Sequence, residues 1–185
     1  DVCRVKNRST DMPVTLLRTK LYIPQPRPGL VARPRLVRQL SDGFARKLTL
    51  VSAPPGFGKS TALSEWAAAT DHPVAWLSLD AGDNDFTRFW AYAVSALATV
   101  LPPLGNGSGN GTASPPEPAH HQAALIHLIN TIAESATDRF SLVLDDFHLV
   151  ADSPEIARFM ALVLENNRTP VRFVLASRAE PPLPL

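Results

Sequence analysis

The strongest constraint on the fold is the stretch at residues 47–60, which reads Lys-Leu-Thr-Leu-Val-Ser-Ala-Pro-Pro-Gly-Phe-Gly-Lys-Ser. A short apolar run at 48–51 passes into small and proline residues, then Gly-Lys-Ser at 58–60, then a helix-like segment at 61–69. That order of strand, loop and helix is what a phosphate-binding loop requires. Glycines let backbone N–H groups converge on phosphate oxygens, and the helix N-terminus adds its positive dipole end. The residues expected to cradle phosphate are Ala53, Pro54, Pro55, Gly56, Phe57, Gly58, Lys59, Ser60 and Thr61. Lys59 is expected to reach the β- and γ-phosphates, and the Ser60 hydroxyl to sit on Mg²⁺. Ala53 stands where the strict pattern has glycine, so the match is to a relaxed form.

Three further apolar runs, at 74–79, 140–144 and 171–176, read as strands covered on both faces. Helical patterns at 61–69, 86–101, 119–135 and 154–165 separate the four runs, and a short helix at 34–40 precedes them. Strands alternating with helices predict an α/β fold with an open parallel sheet, whose ligands bind at the carboxyl ends of the strands.

Those ends carry the candidate chemistry. The third run ends in Asp145-Asp146, as a Walker B strand does. Asp145 would hold Mg²⁺, directly or through its waters, and Asp146 would polarise an attacking water. The alternative is an ordinary acidic turn. The fourth run delivers Arg178, which either reaches the γ-phosphate or pairs with Glu180 at the surface. Asp80, Asp83 and Asp85 read as helix caps, against a polar role near the phosphates. His148 reads as a packing or surface histidine, and His120, His121 and His127 as solvated side chains without a metal.

Composition narrows the partners. A net charge of +1, from 18 basic and 17 acidic residues, gives no electrostatic case for nucleic acid or membrane. Cys3 is the only cysteine, so no internal disulfide forms, and a reducing, cytoplasmic setting is expected. No apolar stretch is long enough to span a bilayer. Residues 1–15 are expected to be a disordered extension, with Met12 a candidate natural start. Residues 16–46 form a lead-in arm and short helix, and 47–185 the core. Prolines at 24, 26 and 28 keep the arm extended. Residues 31–33 either belong to a plain connecting arm or lie along the adenine and ribose, with Arg33 among them. A glycine- and proline-rich stretch at 102–118 reads as a flexible loop inside the domain.

Taken together, several segments resemble one known family. They are Leu-Val-Ala-Arg-Pro-Arg-Leu (30–36), Val-Ser-Ala-Pro-Pro-Gly-Phe-Gly-Lys-Ser (51–60), and Trp-Leu-Ser-Leu-Asp (76–80) with Asp-Asn-Asp-Phe-Thr-Arg-Phe-Trp (83–90). Leu-Val-Leu-Asp-Asp-Phe-His (142–148) and Val-Leu-Ala-Ser-Arg (174–178) complete the set. It is similar to the nucleotide-binding domain of the STAND ATPases, specifically the MalT-like group of large LuxR-type transcriptional activators.

The resemblance implies a P-loop NTPase fold, a three-layer αβα sandwich with an open parallel sheet, here stopping before a fifth strand. It implies ATP/ADP and Mg²⁺ as ligands, Lys59 and Ser60 on the phosphates and cation, and Asp145 on Mg²⁺. Asp146 would serve hydrolysis, Arg178 would be the sensor, and Arg33 would lie beside the base. It further implies a slow ATPase used as a switch and self-association of the ATP-bound regulator. DNA would be bound only through a C-terminal helix-turn-helix outside these residues. The missing strand would leave the P-loop strand at an open edge, with a less stable domain and poor turnover as the expected cost. Two other functions remain open: a P-loop kinase acting on a small acceptor, and a pure binding module.

Overall fold

The computed structural model describes residues 16–25, 29, 31–105, 120–165 and 169–183. The expected extension at 1–15 and most of the expected loop at 102–118 lie outside them. The described part of that loop corrects the expectation: Pro102–Gly105 form a short helix, α4. Pro102 suits a helix start because its missing N–H would have no partner there. Leu104, at 3% exposure, anchors the turn to the core.

Four strands, β1 (Leu48–Ser52), β2 (Val74–Ser78), β3 (Phe140–Asp145) and β4 (Val171–Ser177), form one all-parallel sheet in the order β1-β4-β3-β2. The α/β reading of the sequence is therefore correct, and β1 does lie at one edge. The other helices are α1 (Pro34–Gly43), α2 (Lys59–Ala69), α3 (Phe86–Ala98), α5 (His121–Ser135) and α6 (Pro154–Glu165).

Period-two alternation sorts the strand residues into two cores. Ala75, Leu77, Leu142, Leu144, Phe173 and Leu175 point to the side covered by α3, α5 and α6. Trp76, Val143, Val174 and Ala176 point the other way, onto Leu63 and Trp66 of α2 and Leu40 of α1. Burial on both faces explains why these strands read as unbroken apolar runs. Each fully buried large side chain contributes on the order of 1.5–3 kcal/mol.

Two boundaries differ from expectation for local reasons. Helix α3 stops at Ala98 rather than running to 101, because Pro102 disfavours helical geometry in the residue before it. Thr99 closes the end, its hydroxyl donating to the Ala96 carbonyl at 2.7 Å. Asp80, Asp83 and Asp85 are caps, as expected. Asp80 and Asp83 form a capping box on the 3₁₀ turn Ala81–Asn84, and Asp85 accepts from the Arg88 N–H at the start of α3. His121 is not simply solvated: its ring packs on Phe86, with centroids 4.3 Å apart.

Candidate functional site

The sheet order puts the tips of β1, β4 and β3 side by side, so the three candidate segments meet. The Ala53 N–H donates to the Ser177 carbonyl at 3.3 Å, tying the loop after β1 to the end of β4. The loop then turns through Gly56 (φ 81°) and Gly58 (φ 74°), both in the left-handed region that glycine enters without strain. Gly58 is the N-cap of α2. Ala53 does not share the positive φ of these glycines, which is why a side chain is tolerated at the relaxed position.

A cleft of about 500 Å³ opens over this loop. Pro55, Gly56, Gly58, Lys59, Ser60 and Thr61 line it together with Asp146 and Arg178. Ala53, Pro54 and Phe57 belong to the loop but not to the cleft wall. Lys59 is 9% exposed, and its ammonium donates to the Ala53 and Pro54 carbonyls at 2.7 and 3.3 Å. Arg178 is exposed and makes no ion pair with Glu180 among the described residues.

Asp145 lies beneath Ser60 and is 5% exposed. Burial, and then the neighbouring Asp146, push its carboxyl above the usual carboxylate range. The Ser60 hydroxyl, the Asp146 N–H and Lys59 pull the other way. A buried carboxylate held mainly by neutral donors could hold a hard divalent cation together with the Ser60 hydroxyl. Asp146 has φ 57°, in the left-handed region, so the strand breaks immediately after Asp145. Its N–H donates to Asp145 Oδ1 at 3.0 Å, and its own side chain, 45% exposed, lines the cleft.

The raised Asp145 pKa fixes the sign of one prediction. Between the ordinary carboxylate pKa and the raised one, the folded chain holds more protons than the unfolded chain. Stability is therefore lost as pH rises through that window, and the full cost is present at neutral pH. Asp145→Asn keeps the shape and the acceptor for the Asp146 N–H. At pH 7 without added cation it is expected to melt higher, by about 2–4 °C per kcal/mol relieved. A lower melting temperature would show that the carboxylate is not a buried cost.

Arg33 lies outside the cleft wall. It precedes α1, its N–H donates to Glu65 Oε1 at 3.1 Å, and its guanidinium donates to the Phe57 carbonyl at 3.3 Å. It thus contacts the glycine loop at Phe57 and Gly58. Sequence reading missed three residues of the cleft: Pro24, Gln25 and Ser64. Ser64 was legible as one turn beyond Ser60, whose carbonyl accepts from its hydroxyl at 2.8 Å. His148 reads as expected, a packed side chain. Its Nδ1 is 3.9 Å from Asp146 Oδ1, and burial, then Arg178, hold its imidazole below the usual range. A separate cleft of about 600 Å³ between α3, α5 and α6 presents side chains such as Phe86, Phe159 and Arg158 but no glycine loop.

No family model matches the chain. The chain is 32% identical over 170 residues, 90% of its length, to the serine/threonine-protein kinase PknK of Mycobacterium tuberculosis. It is 32% identical over 171 residues, 91% of its length, to the HTH-type transcriptional regulator MalT of Serratia proteamaculans. Against MalT of Klebsiella pneumoniae the figure is 31% over 170 residues. It spans only 15% of PknK and 18% of each MalT. Among solved structures, the Walker-type ATPase PABY2304 of Pyrococcus abyssi superposes with a TM-score of 0.53 at 15% identity, over 83% of this chain and 47% of that one. Over nine-tenths of its length the chain is therefore homologous to a segment found in MalT regulators and in PknK, and its fold is that of a Walker-type ATPase, consistent with an NTPase domain of MalT-like regulators.

Proposed function

We propose that the domain binds ATP with Mg²⁺ in the cleft above the glycine loop and hydrolyses it slowly, as an ATP/ADP switch within a transcriptional regulator. The observation that carries this reading is the convergence of Lys59, Asp146 and Arg178, from three adjacent strand tips, on one cleft of about 500 Å³. The loop N–H groups and the start of α2 cradle the phosphates. Lys59 turns its ammonium from the Ala53 and Pro54 carbonyls to the β- and γ-phosphates. Ser60 and Asp145 hold Mg²⁺, which supplies charge neutralisation when bound. Asp146 orients the attacking water, and Arg178 donates to the γ-phosphate, so that its contact is lost with that phosphate.

A decisive switch needs differential binding on the order of 5.5 kcal/mol between resting and active states. The contacts of Lys59 and Arg178 supply part of it, and contacts elsewhere in the full regulator add the rest. DNA binding and self-association belong to that larger protein. A kinase reading asks for further arginines closing over an acceptor, whereas Arg178 is the one arginine lining the cleft among the described residues.

The test is calorimetry with ATP and ADP, with and without Mg²⁺, followed by single-turnover hydrolysis. Magnesium-dependent ATP binding and slow hydrolysis that needs no acceptor are expected. Turnover that appears only with an added acceptor would favour the kinase, and absence of binding would overturn the nucleotide reading.

A further inference from the structure

The acidic pair Asp80 and Asp83, far from the P-loop in sequence, has a partner that sequence reading did not find. Lys20, in the 3₁₀ turn Arg18–Leu21, is 7% exposed, and Asp83 is fully buried. The Lys20 ammonium bonds to the Asp83 carboxylate and donates to Asp80 Oδ2 at 3.0 Å. It also sits 4.2 Å from the centre of the Tyr92 ring. The hydrogen bond from Lys20 holds the Asp80 carboxyl below its usual range. A second anchor stands beside the first: the Leu17 N–H donates to the Tyr92 hydroxyl at 3.0 Å. Leu16 and Leu21 rest on the core formed with α3, whereas Ile23 rests on the opposite core, with α1 and α2. The arm therefore crosses from one face of the sheet to the other between residues 21 and 23. The next two residues, Pro24 and Gln25, are cleft wall facing the glycine loop.

A buried lysine is costly unless it is paired, and the pairing of Lys20 fixes where the arm can run. Among the described residues the arm forms no strand. Beside the packing of Leu16, Leu21 and Ile23, its polar anchors are this ion pair, the Tyr92 contact and, further along, Arg33 on Phe57. We propose that Lys20 is a positioning residue for the nucleotide site. By locking the arm into Asp80 and Asp83, it holds Pro24 and Gln25 against the cleft, so that nucleotide affinity depends on an ion pair that touches no nucleotide. The proposal rests on the nucleotide reading above. It also gives the Asp-rich turn after β2 a task beyond capping: it is the socket for the arm.

The consequence is thermodynamic. If the arm is docked for only about a tenth of the time, apparent affinity falls about tenfold, since only the docked form presents the complete cleft. Lys20→Met keeps the buried stem and removes the charge. It is expected to weaken ATP binding about tenfold by calorimetry, at a temperature where circular dichroism shows the variant folded. Lys20→Arg is expected to restore most of the affinity. Tyr92→Phe, which loses only the hydroxyl that receives the Leu17 N–H, is expected to weaken binding by a smaller factor.

A purely structural role is separated by a control at the opposite end of the sheet. There the Ser141 hydroxyl bonds His72 Nε2 at 3.0 Å. Ser141→Ala is expected to lower the melting temperature and leave ATP affinity at the parent value. Parent-like affinity in Lys20→Met would overturn the proposal, as would an equal loss in Ser141→Ala. If Lys20→Met does not fold, parent-like affinity in Tyr92→Phe overturns it alone. An unmodified chain that binds no ATP would sink the nucleotide reading itself, and the role of Lys20 with it.

Discussion

Lys59→Ala is expected to abolish measurable ATP binding while leaving the fold intact. Charge-assisted hydrogen bonds contribute about 1.5–3 kcal/mol each, so losing two to phosphate oxygens weakens affinity by roughly two to four orders of magnitude. The fold should survive because Lys59 holds only carbonyls of its own loop, Ala53 and Pro54, and neither is a core group. Ala53 is half-buried and Pro54 exposed, so their carbonyls can turn to water. The far-ultraviolet spectrum should match the parent, and the melting temperature should move little. Unchanged ATP affinity by calorimetry would refute the assignment of the loop at 53–60 to phosphate.

Asp146→Ala is expected to separate binding from chemistry. A positioned carboxylate acting on a water contributes about 10²–10⁴-fold to rate, so single-turnover hydrolysis should fall by that factor while ATP affinity stays near the parent value. Removing one of two adjacent carboxylates also relieves repulsion on Asp145, which raises no barrier to binding the cation. The replacement carries a separate cost. Alanine tolerates the left-handed backbone of residue 146 less well than aspartate does, so a small drop in melting temperature accompanies it. Asp146→Asn keeps that tolerance and should show the same rate loss without the drop. Hydrolysis at the parent rate in both variants would remove Asp146 from the chemistry and leave a binding module.

The parts of this molecule that sequence reveals are those whose cause is local. Strands β2, β3 and β4 were readable because two covered faces demand unbroken apolar runs. The α2 start was readable because glycine and lysine sit at fixed offsets after a strand. Asp145, Asp146 and Arg178 were readable as strand-tip residues, since a parallel sheet gathers its carboxyl ends. What sequence hid depends on contacts between distant segments. Lys20 lies in a polar, proline-flanked stretch with no periodicity, and its partner Asp83 is 63 residues away. Gln25 likewise has no pattern to mark it, because an extended arm can be laid over any surface. Arg33 is read from sequence as lying beside the base, and its contacts in the structure, with Glu65 and the Phe57 carbonyl, are made across segments more than twenty residues apart. The 102–105 turn was misread because a proline-rich composition hides one leucine that has a core to enter.

The position of β4 has a consequence for how the molecule comes into being. Strand β4 follows β1, β2 and β3 in the chain yet lies between β1 and β3, so a nascent chain that has released only those three holds β1 apart from the β2–β3 pair. Assembly must wait for residues 171–177 to leave the ribosome and wedge into place, a distant and hence slow pairing. Until then Asp145 and the glycine loop have no strand between them to hold them at a common distance.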